Sequence, residues 1–283
     1  SRRAYLPSMT GSQPPRLTDR NELRRNRQRS RADAMFLHDI AIEDIQDRLS
    51  MVNRTFSEPA IVTGHPQVWT GVTGQSERVV ADDEVLDLTP GTHDLVIHAM
   101  ALHWADDPIG QIIQCRRALR PDGLFLAVLP GGQTLHELRS TLAQAESDVT
   151  GGLSPRVAPM AEIRDLGALL QRSGLALPVA DGYPFPVSYA SAFHLMRELR
   201  AMGEANALET RQRMPTRRAI LNRAAEVYAT HYPAEDNRIT ATFELITLTG
   251  WAPDDSQPKP LRPGSAASRL SDALNAREVP LKD

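Results

Sequence analysis

Two histidines and a tryptophan stand where a short apolar run gives way to a polar segment. His98 ends that run, and His103 and Trp104 follow within six residues. Because histidine titrates near neutral pH, one placed beside a substrate can act as a general base, which makes His103 and Trp104 our candidate catalytic pair. The other interpretation is that they only pack a loop. The histidines lack metal-ligand spacing and no Asp/His cluster accompanies them, so we predict no metal site.

A glycine and a pair of carboxylates follow two other short apolar runs. Gly64 and His65 come directly after the first run, and Asp82 and Asp83 follow the second within three residues. Glycine lacks a Cβ, so its backbone can approach a ligand closely, and a carboxylate at a strand end can accept hydrogen bonds from one. The alternatives are an ordinary strand-to-helix turn and a solvated acidic turn.

Apolar runs alternate with segments of helical periodicity along most of the chain. Continuous apolar runs are typical of strands buried on both faces, and amphipathic helices between them favour a parallel sheet covered on both sides. We therefore predict an α/β fold. The predicted strands are 60–62, 78–80, 94–98, 124–129, 175–179 and 240–251; the predicted helices are 19–50 with a break near residue 30, 107–119, 134–147, 161–173, 190–202 and 216–231.

The composition of the 283 residues, 41% hydrophobic and 24% charged, is that of an ordinary globular protein. The longest apolar runs, at 95–101 and 123–129, are far shorter than the roughly 18–20 residues that span a bilayer. The single cysteine, Cys115, excludes an internal disulfide and a multi-cysteine zinc site. It lies on the apolar side of a predicted helix, which favours a buried, inert thiol.

Charge is distributed unevenly along the chain. Residues 1–31 contain nine arginines and two carboxylates, a charge of +7, and since the whole chain carries −3 the remainder carries −10. This segment resembles a mitochondrial transit peptide or an arm that docks on an anionic surface. No aromatic residue is interleaved with its arginines after Tyr5, so we expect no specific nucleic-acid site. We predict a basic mobile arm at 1–31, a domain at 32–251 and an irregular tail at 252–283 with a short helix near 266–275.

The order strand, acidic turn, strand, helix, Arg-Pro-Asp-Gly turn and strand resembles the second half of the class I S-adenosylmethionine-dependent methyltransferases. The Leu-His-Trp at 102–104 narrows the resemblance to the branch that contains malonyl-carrier-protein methyltransferases and the respiratory complex I assembly factor that hydroxylates an arginine. The similarity covers roughly residues 30–270. The stretches that carry it are 94–104, 118–126, 131–139, 151–156, 202–207 and 250–251.

This resemblance implies a Rossmann-like sheet with helices on both faces and a helical insert, about 183–238, before the last strand. It also implies S-adenosylmethionine as the cofactor. The positions that match the family's cofactor-binding residues are Gly64, His65, Asp82, Asp83, His98 and Ala99, and those that match its active-site loop are His103 and Trp104.

The cofactor loop is shorter than that family requires. One glycine remains at Gly64, and Pro66 removes a backbone donor. Only 18 residues separate Val62 from Val80, whereas a βαβ crossover takes about 30 residues. We therefore predict a shortened sheet that lacks one βα unit.

Two functions agree with these residues. The first is a methyltransferase-like enzyme that acts in respiratory complex I assembly by modifying a protein subunit, through methyl transfer or arginine hydroxylation. The second is a non-catalytic assembly or scaffold protein that retains the fold without the cofactor. Either function implies a protein client, such as a complex I subunit. The expected location is the bacterial cytoplasm or the mitochondrial matrix, with peripheral association at the inner membrane.

Overall fold

A computed structural model of the chain describes residues 16–258. Of these, residues 16–253 form one compact unit, and residues 254–258 belong to a second, in which the Gln257 amide donates to the Asp254 carbonyl to close a turn. The start of the predicted arm, 1–15, and the predicted helix near 266–275 lie outside the described residues.

The strands and helices of the described residues follow the predicted alternation. The strands are β1 (Pro59–Thr63), β2 (Arg78–Val80), β3 (His93–Ala99), β4 (Leu119–Pro130), β5 (Ala176–Tyr189), β6 (Pro233–Ala234) and β7 (Arg238–Trp251). The α-helices are α1 (Arg20–Gln28), α2 (Phe36–Met51), α3 (Pro66–Trp69), α4 (Pro108–Ala118), α5 (His136–Thr150), α6 (Ile163–Arg172), α7 (Ala192–Met202) and α8 (Arg218–His231).

The strands form one sheet in the order β2-β1-β3-β4-β7-β5, and the short β6 pairs with β7. The four strands from β2 to β4 are parallel, and β7 runs antiparallel between β4 and β5. Strand β1 reaches its parallel neighbour β2 through the single short helix α3, so the crossover is reduced to near its minimum length. The predicted α/β class is confirmed.

Alternate residues of the central strands face two separate hydrophobic cores. Ile61 and Ile97 point to the core built with α2, α5, α7 and α8, whereas Val62 and Val96 point to the core built with α4 and α6. All residues of β1 and β3 are buried, as expected for strands covered on both faces. Cys115 is fully buried, and burial raises the pKa of its thiol.

Strand β5 is much longer than the predicted strand at 175–179 and runs into the segment assigned to the insert. It pairs with β7 from Ala176 to Tyr189. Pro184 and Pro186 would not fit a central strand, but β5 is the edge of the sheet, where a missing N–H donor is tolerated. The helices of the insert, α7 and α8, follow β5 as predicted.

Helix α1, which lies within the predicted mobile arm, is docked on the body of the domain. Leu23 is fully buried against Trp104 and Ala207, and Asn26 donates from Nδ2 to the Ala205 carbonyl at 3.1 Å. A single apolar side chain and a few polar contacts are therefore enough to hold this mostly charged helix. The described part of the predicted arm is packed, while the domain boundaries themselves stay predictions.

The substitution Leu23→Ala tests this docking. We expect it to lower the free energy of unfolding by about 2–5 kcal/mol, the usual loss for a leucine removed from a core. Gln28→Ala, an exposed position on the same helix, is the matched control and should change stability by less than about 0.5 kcal/mol. Urea denaturation measures both, and equal midpoints for the two variants would show that α1 does not pack.

Candidate functional site

The predicted site residues follow neighbouring strands and lie at one edge of the sheet. Gly64 and His65 come after β1, Asp82 and Asp83 after β2, and the turn with His103 and Trp104 after β3. The carboxyl ends of parallel strands meet at one edge, which is where open α/β sheets bind ligands.

Arg27, on α1, occupies the space between β1 and β2 at this edge. Its Nη1 donates to Asp82 Oδ1 at 2.7 Å, and both side chains are more than nine-tenths buried. A Cβ on Gly64 would collide with the Arg27 guanidinium. The bare Cα of Gly64 therefore accommodates an arginine of the same chain.

Asp82 receives a second arginine from α1. Arg20 donates from Nη1 to the Asp82 carboxylate at 3.3 Å and from Nη2 to the Asp82 carbonyl at 2.5 Å. Burial alone would raise the pKa of Asp82, but Arg27 and Arg20 outweigh burial and lower the pKa. Asp83 is half-exposed and pairs with Arg24 at 3.2 Å.

His65 is fully buried beside a second histidine, His38. The two rings meet edge to face with centroids 4.8 Å apart, and Trp69 donates from Nε1 to His38 Nδ1 at 3.0 Å. Burial lowers the pKa of His38 to about 3 and also lowers the pKa of His65, so both rings are neutral at pH 7. Gly203, with φ of 90°, packs against Arg27 and His65. A Cβ at this position would lie 3.2 Å from both Arg27 Cα and His65 Cε1.

His103 and Trp104, the predicted catalytic pair, share one carboxylate. Trp104 donates from Nε1 to Glu204 Oε2 at 2.8 Å, and His103 Nε2 lies 3.2 Å from the same oxygen. Burial would raise the pKa of Glu204, but His103 and Arg27 outweigh burial and lower the pKa. Glu204 therefore ties the loop after β3 to the segment after α7.

His98 and Ala99 are fully buried at the end of β3. The His98 ring bonds from Nε2 to Gln111 Oε1 at 2.7 Å, and Gln111 donates from Nε2 to the Asp83 carbonyl at 3.1 Å. Burial lowers the pKa of His98 to about 4, so the ring is neutral at pH 7. His98 thus fixes α4 to the acidic turn.

The second glycine-rich turn, at 131–134, also receives a side chain of this chain. A glycine-rich turn at the start of a helix can bind an anion. Glu244 Oε2 accepts from the Gln133 amide at 2.9 Å, and a Cβ on Gly131 would collide with the same oxygen. The anion at this turn is therefore the carboxylate of Glu244.

S-adenosylmethionine, the cofactor implied by the resemblance, needs open space over Gly64 and a free carboxylate beyond a strand end. In this structure the Arg27 guanidinium covers Gly64 and donates to Asp82. The residues, as they are arranged, do not fit the cofactor. Among residues 16–258, no group of three His, Cys, Asp or Glu side chains is placed to hold a metal ion.

Sequence reasoning missed Arg27, Arg20 and His38. The one available signal was weak: the buried positions of α1 are Leu23, Asn26 and Arg27, which have the i, i+3, i+4 spacing of a packed stripe. Two of the three are polar, so hydrophobic periodicity does not reveal them.

A groove of about 1420 Å³ opens beside His103, and Trp104 and Glu204 are among the residues that line it. It is bounded by α1, α5, α7 and the irregular segments 154–160 and 204–216. We call it the arginine groove because seven arginines line it: Arg25, Arg29, Arg156, Arg197, Arg200, Arg211 and Arg213.

Comparison with known proteins agrees with the resemblance inferred from the sequence. Residues 62–127 match the family described as methyltransferase domain. The resemblance inferred from the sequence is confirmed.

Curated relatives narrow the comparison. The mitochondrial arginine hydroxylase NDUFAF5 of Danio rerio is 37% identical over 70% of this chain and 61% of its own length. The human NDUFAF5 is 38% identical over 66% of this chain and 54% of its own length. A malonyl-[acyl-carrier protein] O-methyltransferase of Methylovorus sp. is 32% identical over 67% of this chain and 64% of its own length. The chain thus spans less than two thirds of each of these relatives.

Among solved structures, the YcgJ protein of Bacillus subtilis superposes with a TM-score of 0.48 and 11% identity. The superposition covers 76% of this chain and 99% of that one. It is too loose to support a statement about the site.

Asp82→Asn should destabilise the fold strongly, because it leaves Arg27 buried without its counter-charge. We expect a loss of about 3–5 kcal/mol at pH 7. Asp83→Asn, at the neighbouring half-exposed carboxylate, is the control and should cost less than about 1 kcal/mol. The folded pKa of Asp82 is depressed, so its contribution is complete above the unfolded pKa of 3.8 and is lost as pH falls through the folded pKa. Chemical denaturation measures this, and equal losses for both variants would contradict a special role for Asp82.

The buried neutral His98 should make stability depend on pH. Its pKa of about 4 in the folded state lies below the 6.5 of the unfolded chain, so its full contribution holds above pH 6.5. About 3 kcal/mol should be lost as pH falls from 6.5 to 4. His98→Asn should flatten this slope, while His231→Asn, at an exposed position, should leave it unchanged. Denaturation midpoints across that pH range provide the measurement, and parallel slopes for wild type and His98→Asn would refute it.

Proposed function

We propose that this chain acts in the assembly of respiratory complex I as a protein-binding, non-catalytic member of the methyltransferase fold. One observation carries the proposal: the buried Arg27 lies over Gly64 and donates to Asp82, in the place where the cofactor would bind. The assembly role is supported by the similarity to the NDUFAF5 arginine hydroxylases and by the stretches at 131–139 and 202–207.

The energy of the buried pair supports exclusion of the cofactor. A ligand can reach Gly64 only if Arg27 leaves Asp82, which separates two buried charges at a cost of about 3–5 kcal/mol. That cost reduces the apparent affinity of any ligand at this position by a factor on the order of 10²–10⁴.

An assembly protein needs a surface for its client, and the arginine groove is a suitable one. It adjoins Trp104 and Glu204, the residues that a substrate would meet in a catalytic relative.

In the described part of the chain, no helix is long and apolar enough to cross a membrane. We place the protein in the bacterial cytoplasm or the mitochondrial matrix, with its client at the inner membrane.

A second candidate function is enzymatic modification of the client. It is favoured by polar atoms that have no hydrogen-bond partner among the described residues: both ring nitrogens of His65, His103 Nδ1 and Glu204 Oε1. These atoms could hold a reacting group, and the arginine hydroxylase activity named for the relatives agrees with such a role. This function requires Arg27 to leave Gly64.

Calorimetric titration with S-adenosylmethionine and with its demethylated product separates the two functions. We expect no saturable heat from the wild-type chain at ligand concentrations up to about 1 mM, because Arg27 closes the position. Arg27→Ala and the exposed Arg25→Ala are titrated alongside, so that binding gained only by Arg27→Ala identifies Arg27 as the closing group. Saturable binding by the wild type would overturn the non-catalytic proposal.

The assembly role has its own readout. Cells that lack the protein should contain less fully assembled complex I on native gels, and wild-type protein should restore it. Unchanged complex I levels in such cells would contradict the role.

A further inference from the structure

We propose that the arginine groove binds an acidic, amphipathic helix of a partner protein. The inference deepens the proposed function, on which it rests for the identity of the partner as the client. It is carried by the volume of the groove, by its apolar floor and by the arginines on its rim that no carboxylate of the described residues neutralises.

The floor of the groove is apolar. It includes Leu138 and Leu142 from α5, Leu135 just before α5, and Phe243 from β7. Two further apolar side chains of the lining are exposed, Phe193 at 39% and Met214 at 80%. Exposed apolar side chains rimmed by polar ones mark interaction sites, and flexible methionines are common where helices dock.

The rim carries a positive charge that residues 16–258 leave partly uncompensated. Seven arginines line the groove against two carboxylates, Glu22 and Glu204. Four of the arginines are held by neighbouring carboxylates of this chain: Arg25 by Glu22, Arg156 by Glu146, Arg211 by Asp19 and Glu22, and Arg213 by Glu209.

The remaining three arginines, Arg29, Arg197 and Arg200, are exposed and make no ion pair within residues 16–258. Arg29 follows α1, and the other two lie on α7, so they border the groove from two elements. A partner with carboxylates along both borders would meet them all. Charge complementarity of this kind steers association and selects the partner.

The volume and concavity of the groove favour a helix over other anionic ligands. At about 1420 Å³ it exceeds the roughly 300–1,000 Å³ of a small-molecule pocket. The groove is a concavity between α1 and α7, with α5 and β7 contributing its floor, and the flat surface of a bilayer cannot follow it. An amphipathic helix meets both requirements, because its apolar residues at i, i+3, i+4 and i+7 reach the floor while flanking glutamates reach the rim.

The test uses the full chain and two fluorescein-labelled peptides of 18 residues. Both carry leucines on one helical face; one has glutamates on the opposite face, and the other has lysines in their place. Fluorescence anisotropy should show micromolar binding of the glutamate peptide, with at least tenfold weaker binding of the lysine peptide. Raising NaCl from 50 to 500 mM should weaken the glutamate complex, because salt screens rim charges.

Charge reversal at the three unpaired arginines locates the site. The triple variant Arg29→Glu, Arg197→Glu, Arg200→Glu should bind the glutamate peptide at least tenfold more weakly than the wild type. The matched control reverses three arginines that are exposed, unpaired by any carboxylate of the described residues and outside the groove: Arg120, Arg164 and Arg172. It has the same net charge and should bind within about twofold of the wild type.

Three results would overturn the inference. They are an equal loss of affinity in the two triple variants, equal binding of the two peptides, and sedimentation with phosphatidylglycerol vesicles without binding of either peptide. The last result would assign the groove to a lipid. Because the peptide assay contains no S-adenosylmethionine, its failure leaves the outcome of the cofactor titration unaffected, and the reverse also holds.

Discussion

A buried ion pair between Arg27 and Asp82 determines the character of the carboxyl edge of the sheet. Arg27 Nη1 lies 2.7 Å from Asp82 Oδ1, and both side chains are buried. Without Asp82, Arg27 would be buried without this counter-charge. The pair anchors α1 across the ends of β1 and β2. Gly64 and Gly203 accept it because neither has a Cβ in the way of the arginine or the neighbouring histidine. A position that could be open to a ligand is thereby filled by the chain itself.

The same residue types serve a bound cofactor and a buried arginine. Both need a backbone without a Cβ at the end of β1 and a carboxylate beyond the next strand, and this chain provides them at Gly64 and Asp82. The turn at 131–134 is also filled by a charged side chain of this chain, in this case a carboxylate: the Gln133 amide donates to Glu244. Spacing and residue type alone therefore leave the occupant of either position undetermined. The tertiary contact identifies it.

The carboxyl edge of the sheet, which Arg27 fills, adjoins the open arginine groove. Trp104 and Glu204 belong to both regions. They hydrogen-bond to each other at the edge of the sheet, and both line the groove. The insert helix α7 supplies one border of the groove and α1 another, so the elements that close one position also shape the other. A client bound in the groove would contact the same helices that keep Arg27 in place.

The sequence by itself determined the α/β class, the order of strands and helices and the edge of the sheet where the polar residues gather. These depend on local apolar runs and on helical periodicity, which are visible within a few residues of each position. It did not determine the length of β5, because Pro184 and Pro186 obscure a strand whose edge position only its pairing with β7 reveals. Nor did it determine the role of α1. Arg27 and Asp82 are 55 residues apart, and a buried arginine carries no periodic signal, so only the folded chain could bring that charge to its partner.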